Sequence, residues 1–175
     1  MLKSRVKWGI GLGVAMFGWT MGVHFLGFYT SRIEYASLVD RLALLLPFLA
    51  VFGALWQLRR DANGRFPIRA ALLSGLVVGA VAAPFTIASL WFYHEFINPE
   101  WLELLISFER DRLTALGTPP DEILRQTAQM QQRSAGGNPV VNGFIGSVLI
   151  CGVMALAQAP VFALGSRRTR DTLHA

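Results

Sequence analysis

The chain has 175 residues, of which 53% are hydrophobic and only 15% charged, and its formal net charge at pH 7 is +5. Soluble domains average roughly 45–50% apolar and about 25% charged residues, so a single domain of this length, with its charges gathered between long uncharged runs, is expected in a membrane rather than in water. The single cysteine, Cys151, excludes an intrachain disulfide and reads as a small core-facing residue.

The first run, Trp8 to Tyr29, carries no formal charge and follows the basic start MLKSRVK. About 20 apolar residues suffice to cross the ~30 Å hydrocarbon layer as a helix. This run is longer than the apolar part of a secretory signal, and it ends in Phe28 and Tyr29 rather than in a small-residue cleavage site. Residues 8–29 are therefore expected to stay in place as a first membrane helix. The second run, 42–58, lies between Asp40-Arg41 and Arg59-Arg60-Asp61, and Pro47 is expected to kink it. The third, 70–97, has Pro84 near its middle, with Thr86 and Ser89 close enough to satisfy the carbonyl that the proline frees. The fourth, 140–164, contains Gln158 and Pro160 ahead of the basic tail SRRTRD.

Between the third and fourth runs, residues 98–138 are patterned as helix. Asn98-Pro99-Glu100 offers an N-cap, a proline for the first helical position and an acid for the first turn. Glu103, Ser107, Arg110 and Thr114 then recur on one side while Trp101, Leu102, Leu105, Phe108 and Leu113 take the other, up to a stop at Gly117. Thr118-Pro-Pro-Asp121 restarts the pattern, and a glutamine-rich helix is expected from Pro119 to about Ser134, before Gly136-Gly137. This amphipathic segment is expected to lie along the outer membrane face or to cap the bundle.

Arginine and lysine set the orientation. Lys3, Arg5 and Lys7, the loop residues Arg59, Arg60, Arg65 and Arg69, and the tail residues Arg167, Arg168 and Arg170 are ten of the 16 basic residues. The remaining six share their side with nine acids, Glu34, Asp40 and Glu95 among them. By the positive-inside rule both termini are cytoplasmic and residues 98–138 extracytoplasmic. Topology thus accounts for the basic excess, and no recognition motif accompanies it, so no nucleic-acid role is expected. Arg59, Arg60, Arg65, Arg167 and Arg168 are instead expected to meet anionic lipid headgroups.

Three patterns bear on chemistry. GIGLG at 9–13 lacks the preceding strand and the second β-α unit of a dinucleotide site. Its glycines read better as packing surface: Gly11, Ala15, Gly18 and Gly22 fall on one stripe, and Gly75, Gly79 and Ala83 repeat the device on the third helix, as in small-xxx-small interfaces. His94-Glu95-Phe96-Ile97-Asn98 starts like the zinc motif H-E-x-x-H but has Asn98 where the second histidine must stand, so the metal lacks a ligand. Ionisable groups at membrane depth are costly and often functional, which leaves His24, His94 and Glu95 as a candidate proton or metal cluster. The alternative is that His94 and Glu95 reach headgroup water while His24 bonds a neighbouring helix, and Gln158 is read in the same way as an interhelical hydrogen bond. No Ser/His/Asp set, phosphate loop or facing carboxylate pair is seen, so neither catalysis nor a cofactor is expected.

The basic start with its glycine-rich helix (KWGIGLGVAMFG), the link RRDANGRFPIRAALLSGLVVGA and the long Met- and Gln-containing segment before the last run together resemble a family of small bacterial membrane proteins catalogued as a domain of unknown function. The resemblance implies four spans in the bacterial inner membrane and brings no active residues. The expectation is an all-α integral membrane four-helix bundle, acting as an accessory or structural protein through the lipid bilayer, a membrane-protein partner or a homo-oligomer. A small-molecule or ion transporter component is the alternative, favoured by Pro47, Pro84 and Pro160.

Overall fold

Small residues set the spacing of the helices. Along Ile68–Phe92 the buried positions are Ala71, Ser74, Gly75, Val78, Gly79, Ala82, Ala83 and Ser89, which form one narrow stripe with almost no side-chain bulk. Such a stripe lets backbones approach closely, and close packing is what holds helices together where the solvent is itself apolar. The computed structural model describes residues 2–61, 68–135 and 139–171, leaving aside the side chains of 133–135, 139 and 164–171. In chain order these form α1 (Leu2–Phe25), a 3-10 turn (Ile33–Tyr35), α2 (Ala36–Ala43), α3 (Leu45–Asp61), α4 (Ile68–Phe92), a π-helical turn (Tyr93–Ile97), α5 (Trp101–Ala115), α6 (Pro120–Ala135) and α7 (Pro139–Asp171). Among the described residues there is no strand, and the fold is an all-α helical bundle.

α4 is the hub, packing on both α1 and α7, while α3 closes the bundle against α1, α4 and α7. Val51 and Leu55 of α3, Val78 of α4 and Cys151 and Ala155 of α7 are the deepest members of the shared core. The outer faces are also apolar: Leu49, Leu149, Val153 and Val161 are all more than half exposed. Helices apolar on every side suit a bilayer rather than water. Among the described residues three helical stretches, Ile33–Asp61, Ile68–Ile97 and Val140–Ala163, are long and apolar enough to cross a membrane. α1 is not among them, because its glycines, tryptophans and His24 dilute its apolar residues.

The run boundaries differ from expectation in three places. α1 ends at Phe25 instead of Tyr29, because Gly27 adopts φ 80° and closes the helix. Its N–H donates to the His24 carbonyl at 2.8 Å and that of Phe28 to the Val23 carbonyl at 3.1 Å, the paired bonds of a Schellman cap. The second run begins earlier than Leu42, as the 3-10 turn and α2 lead into α3. Its break falls at Leu44, three residues before Pro47, whose missing N–H leaves the Ala43 carbonyl without a helical donor. At Pro84 the freed carbonyl belongs to Ala80, yet Thr86 donates to Ala82 and Ser89 to Phe85 and Thr86, so neither hydroxyl does the job expected of it.

The segment between the third and fourth runs is a hairpin of α5 and α6 packed on each other, and it meets the bundle at the 3-10 turn. Gly117 (φ 73°) ends α5 as expected, with the Thr118 N–H returning to Leu113. The Asn98 cap does not form, since the residue before α5 is Glu100 and no side chain caps the helix. The Gly136-Gly137 break lies outside the described residues.

Candidate functional site

The π-helical turn decides which polar groups face inward where α4 ends. Its extra residue per turn gives the bond from the Asn98 N–H to the Tyr93 carbonyl, 2.8 Å, and stacks two side chains five positions apart. Tyr93 and Asn98 are both buried, at 2% and 6% exposure. Asn98 Nδ2 donates to the Tyr93 hydroxyl at 3.0 Å and to the Tyr29 carbonyl at 3.3 Å. The Tyr93 hydroxyl lies 3.2 Å from His24 Nδ1. A hydroxyl that accepts from Asn98 has its own proton to give, so in the His24 tautomer whose Nδ1 carries no proton the donors run Asn98 to Tyr93 to His24. Tyr29 adds aromatic edges to Tyr93 and Trp101, centroids 5.8 and 5.0 Å apart, and donates its hydroxyl to Asp40 Oδ1 at 2.5 Å. Burial, and then the Asp40 carboxylate beside it, push the Tyr29 hydroxyl above its ordinary pKa, which keeps it a donor.

This network holds one member of the candidate cluster read from the sequence and matches the alternative given there, in which His24 bonds a neighbouring helix. His24 is a member, but His94 and Glu95 are both exposed, because the π turn gives the inward positions to Tyr93 and Asn98. Among the described residues no group of three or more His, Cys, Asp or Glu is placed to hold a metal ion. The signal available in the sequence was positional: Tyr29, Asp40, Tyr93 and Asn98 all flank apolar runs at the same end of the bundle.

Below the network lies a cavity of about 240 Å³ between α1, the α2–α3 break, α4 and α7. Leu12, Met16 and Trp19 line it from α1, Pro47 from α3, Thr86 from α4 and Cys151 from α7, and Tyr29 and Asp40 stand at its end. The indole N–H of Trp19 is buried and has no partner among the described residues. Thr20 and Thr86 spend their hydroxyl protons on their own helices, at the Met16 and Ala82 carbonyls, and so present only acceptors to the cavity. Nearer the opposite end, Gln158 Nε2 donates to the Phe48 carbonyl of α3 at 3.1 Å, the interhelical bond read from the sequence.

The glycines divide into two groups. A Cβ at Gly79 would lie 2.6 Å from the Ser147 carbonyl oxygen and 2.8 Å from Val148 Cα, and one at Gly75 would overlap the Cys151 carbonyl and Ala155. A Cβ at Gly11, Gly18 or Gly22 would meet nothing within 4 Å among the described residues outside its own helical turn. The contact of α1 with α4 runs through Gly9, which faces Val81, and Gly13, which faces Phe85. At about 100° per residue these two lie on the opposite side of the helix from the stripe, so the stripe faces away from its own bundle.

Of the arginines, Arg59 is half-buried and Arg60 exposed in the last turn of α3. Arg60 borders a wide groove of about 700 Å³ with Trp8, Phe52, Trp56 and Asp61. Trp8 packs over Gly53 there and donates to Gln57 Oε1 at 3.3 Å. Arg65 lies outside the described residues, as do the side chains of Arg167 and Arg168.

A family model described as a protein of unknown function (DUF4199) matches residues 7–162, nearly the whole chain. No curated protein and no solved structure matches it.

Proposed function

The chain belongs to that family, and on this premise we infer that it is a four-span protein of the bacterial inner membrane, with α1 as the first span, that acts without catalysis through contacts with another membrane protein, a second copy of itself or lipid. The observation that carries the reading is the open face of α1. Gly11, Gly18 and Gly22 form a flat small-residue surface that its own bundle leaves uncovered, and such a surface is where a further helix packs at short range. The apolar exterior of α3, α4 and α7 supports the bilayer as its solvent.

Purification in a mild detergent tests the partner. A stoichiometric second chain, or a dimer, should be recovered with the native protein and lost with Gly18→Leu, while the melting temperature of the isolated chain stays the same. Recovery of a folded monomer alone would overturn the protein-contact part of the reading and leave lipid as its only contact. It would favour a transporter component instead, for which the cavity beside Pro47 is the supporting feature.

The orientation, termini cytoplasmic and the α5–α6 hairpin outside, rests on the arginine asymmetry. In a Cys151→Ala background, single cysteines at Arg65 and Ser166 should resist an impermeant thiol reagent in intact cells, and one at the exposed Gln129 should react. Labelling at Arg65 but not at Gln129 would reverse the topology.

A further inference from the structure

Leu12, Met16, Trp19 and Thr20 climb one face of α1 over eight residues, so the cavity they line is elongated, about 12 Å along the helix. At about 240 Å³ it exceeds the roughly 150 Å³ apolar cavity that suffices to bind benzene. Its polar groups are few and graded. The inner end joins the apolar core at Leu12, Ala82 and Cys151. Near the outer end of this stretch stands Trp19, whose buried N–H is donor only and has no acceptor among the described residues. Leaving such a group unmade is costly, so a cavity that retains it suits a ligand that brings an acceptor to that depth. At the outer end itself Asp40, exposed, takes one hydrogen bond from Tyr29, and a carboxylate has further lone pairs for a donor.

The order apolar body, acceptor, donor is the order of groups along an acyl glycerol ester. We propose that this cavity binds one acyl chain of an ester-linked glycerolipid, with the ester carbonyl accepting from Trp19 Nε1 and a hydroxyl or ammonium head donating to Asp40. Thr20 and Thr86, their protons spent, offer nothing to an acceptor there, and the selectivity rests on Trp19. The same chemistry is presented by a bilayer phospholipid and by a free monoacyl ester.

The proposal rests on the bilayer reading, and the two fail separately. A chain released from membranes by alkaline carbonate sinks both, whereas an embedded chain that ignores the probes below sinks only the site. The probes are 1-decanoylglycerol and decane, titrated onto the full chain in a short-chain detergent with thermal stability as the readout. In the wild type the ester should stabilise at lower concentration than decane. Trp19→Phe, which keeps one aromatic ring and removes the pyrrole N–H, should raise the required ester concentration about tenfold relative to that of decane, the loss of one hydrogen bond of about 1.4 kcal/mol. Asp40→Asn should weaken 1-decanoyl-lysophosphatidylethanolamine by a similar factor, and Ala82→Phe, filling the cavity, should abolish the response to every probe. An equal ester response in wild type and Trp19→Phe overturns the proposal, as does an undiminished response in Asp40→Asn. Should Ala82→Phe fail to fold, the Trp19→Phe comparison decides alone. A phospholipid retained in native mass spectra of the wild type identifies the bilayer as the source, and a chain that is empty until 1-decanoylglycerol is added identifies a free ester.

Discussion

Replacing Gly79 by leucine is expected to lower the melting temperature of the bundle in detergent more than any other glycine replacement. The new side chain would meet the Ser147 carbonyl and Val148 Cα, which are backbone atoms of α7 that no rotamer change can move. Overpacking costs about 1–3 kcal/mol and more where the obstacle cannot yield, a large part of the 5–15 kcal/mol that holds a typical domain. Gly75→Leu should act in the same way through the Cys151 carbonyl. Gly11→Leu, Gly18→Leu and Gly22→Leu should leave the isolated chain as stable as before or slightly more so, because glycine is a poorer helix former by about 1 kcal/mol and the added side chains meet nothing. Gly27→Leu belongs with the damaging group, since φ 80° is a conformation that leucine adopts at a cost of about 1–2 kcal/mol. Melting curves of the purified variants check the ranking. Equal losses at Gly18 and Gly79 would mean that α1 also packs through its stripe.

That ranking shows which features the sequence carries and which it does not. The helices were legible because length and uninterrupted apolarity are local properties, and Gly117 was legible because a lone glycine after an amphipathic run has few other uses. The Gly75–Gly79 face was legible too, since α4 has a single small stripe. α1 has two. Gly9 and Gly13 repeat at the same four-residue spacing as Gly18 and Gly22, and the sequence of one helix cannot say which face its neighbour takes. The same holds at the break before α3, where Pro47 announces a kink but places its effect three residues upstream.

The π turn was the other hidden feature. Nothing in YHEFIN distinguishes a helix that gains one residue in its last turn from one that does not, yet that residue decides whether His94 or Tyr93 meets α1. Asn98 read as a helix cap for the same reason. Its amide was free to cap only if the chain left α4 in regular register, and the extra residue turns it inward onto Tyr93 and Tyr29.

Removing the Tyr93 hydroxyl is therefore expected to matter far more than any change at the two ionisable residues beside it. In Tyr93→Phe, His24 Nδ1 loses its partner and the Asn98 amide keeps only the Tyr29 carbonyl, at 3.3 Å. An unmade buried hydrogen bond costs about 1–3 kcal/mol. Asn98→Leu should cost at least as much, because it withdraws the donor to both tyrosines and lets the turn between α4 and α5 slip. Tyr29 and Asp40 would then lose the neighbour that fixes the Tyr29 backbone at the end of the cavity, so binding of 1-decanoylglycerol should weaken along with stability. His94→Ala and Glu95→Gln, both on the exposed side of the π turn, should leave melting temperature and binding within error of the wild type. The comparison is made on four single variants in one detergent. A loss in His94→Ala comparable to that in Tyr93→Phe would restore the histidine to the site and remove the π turn from the explanation.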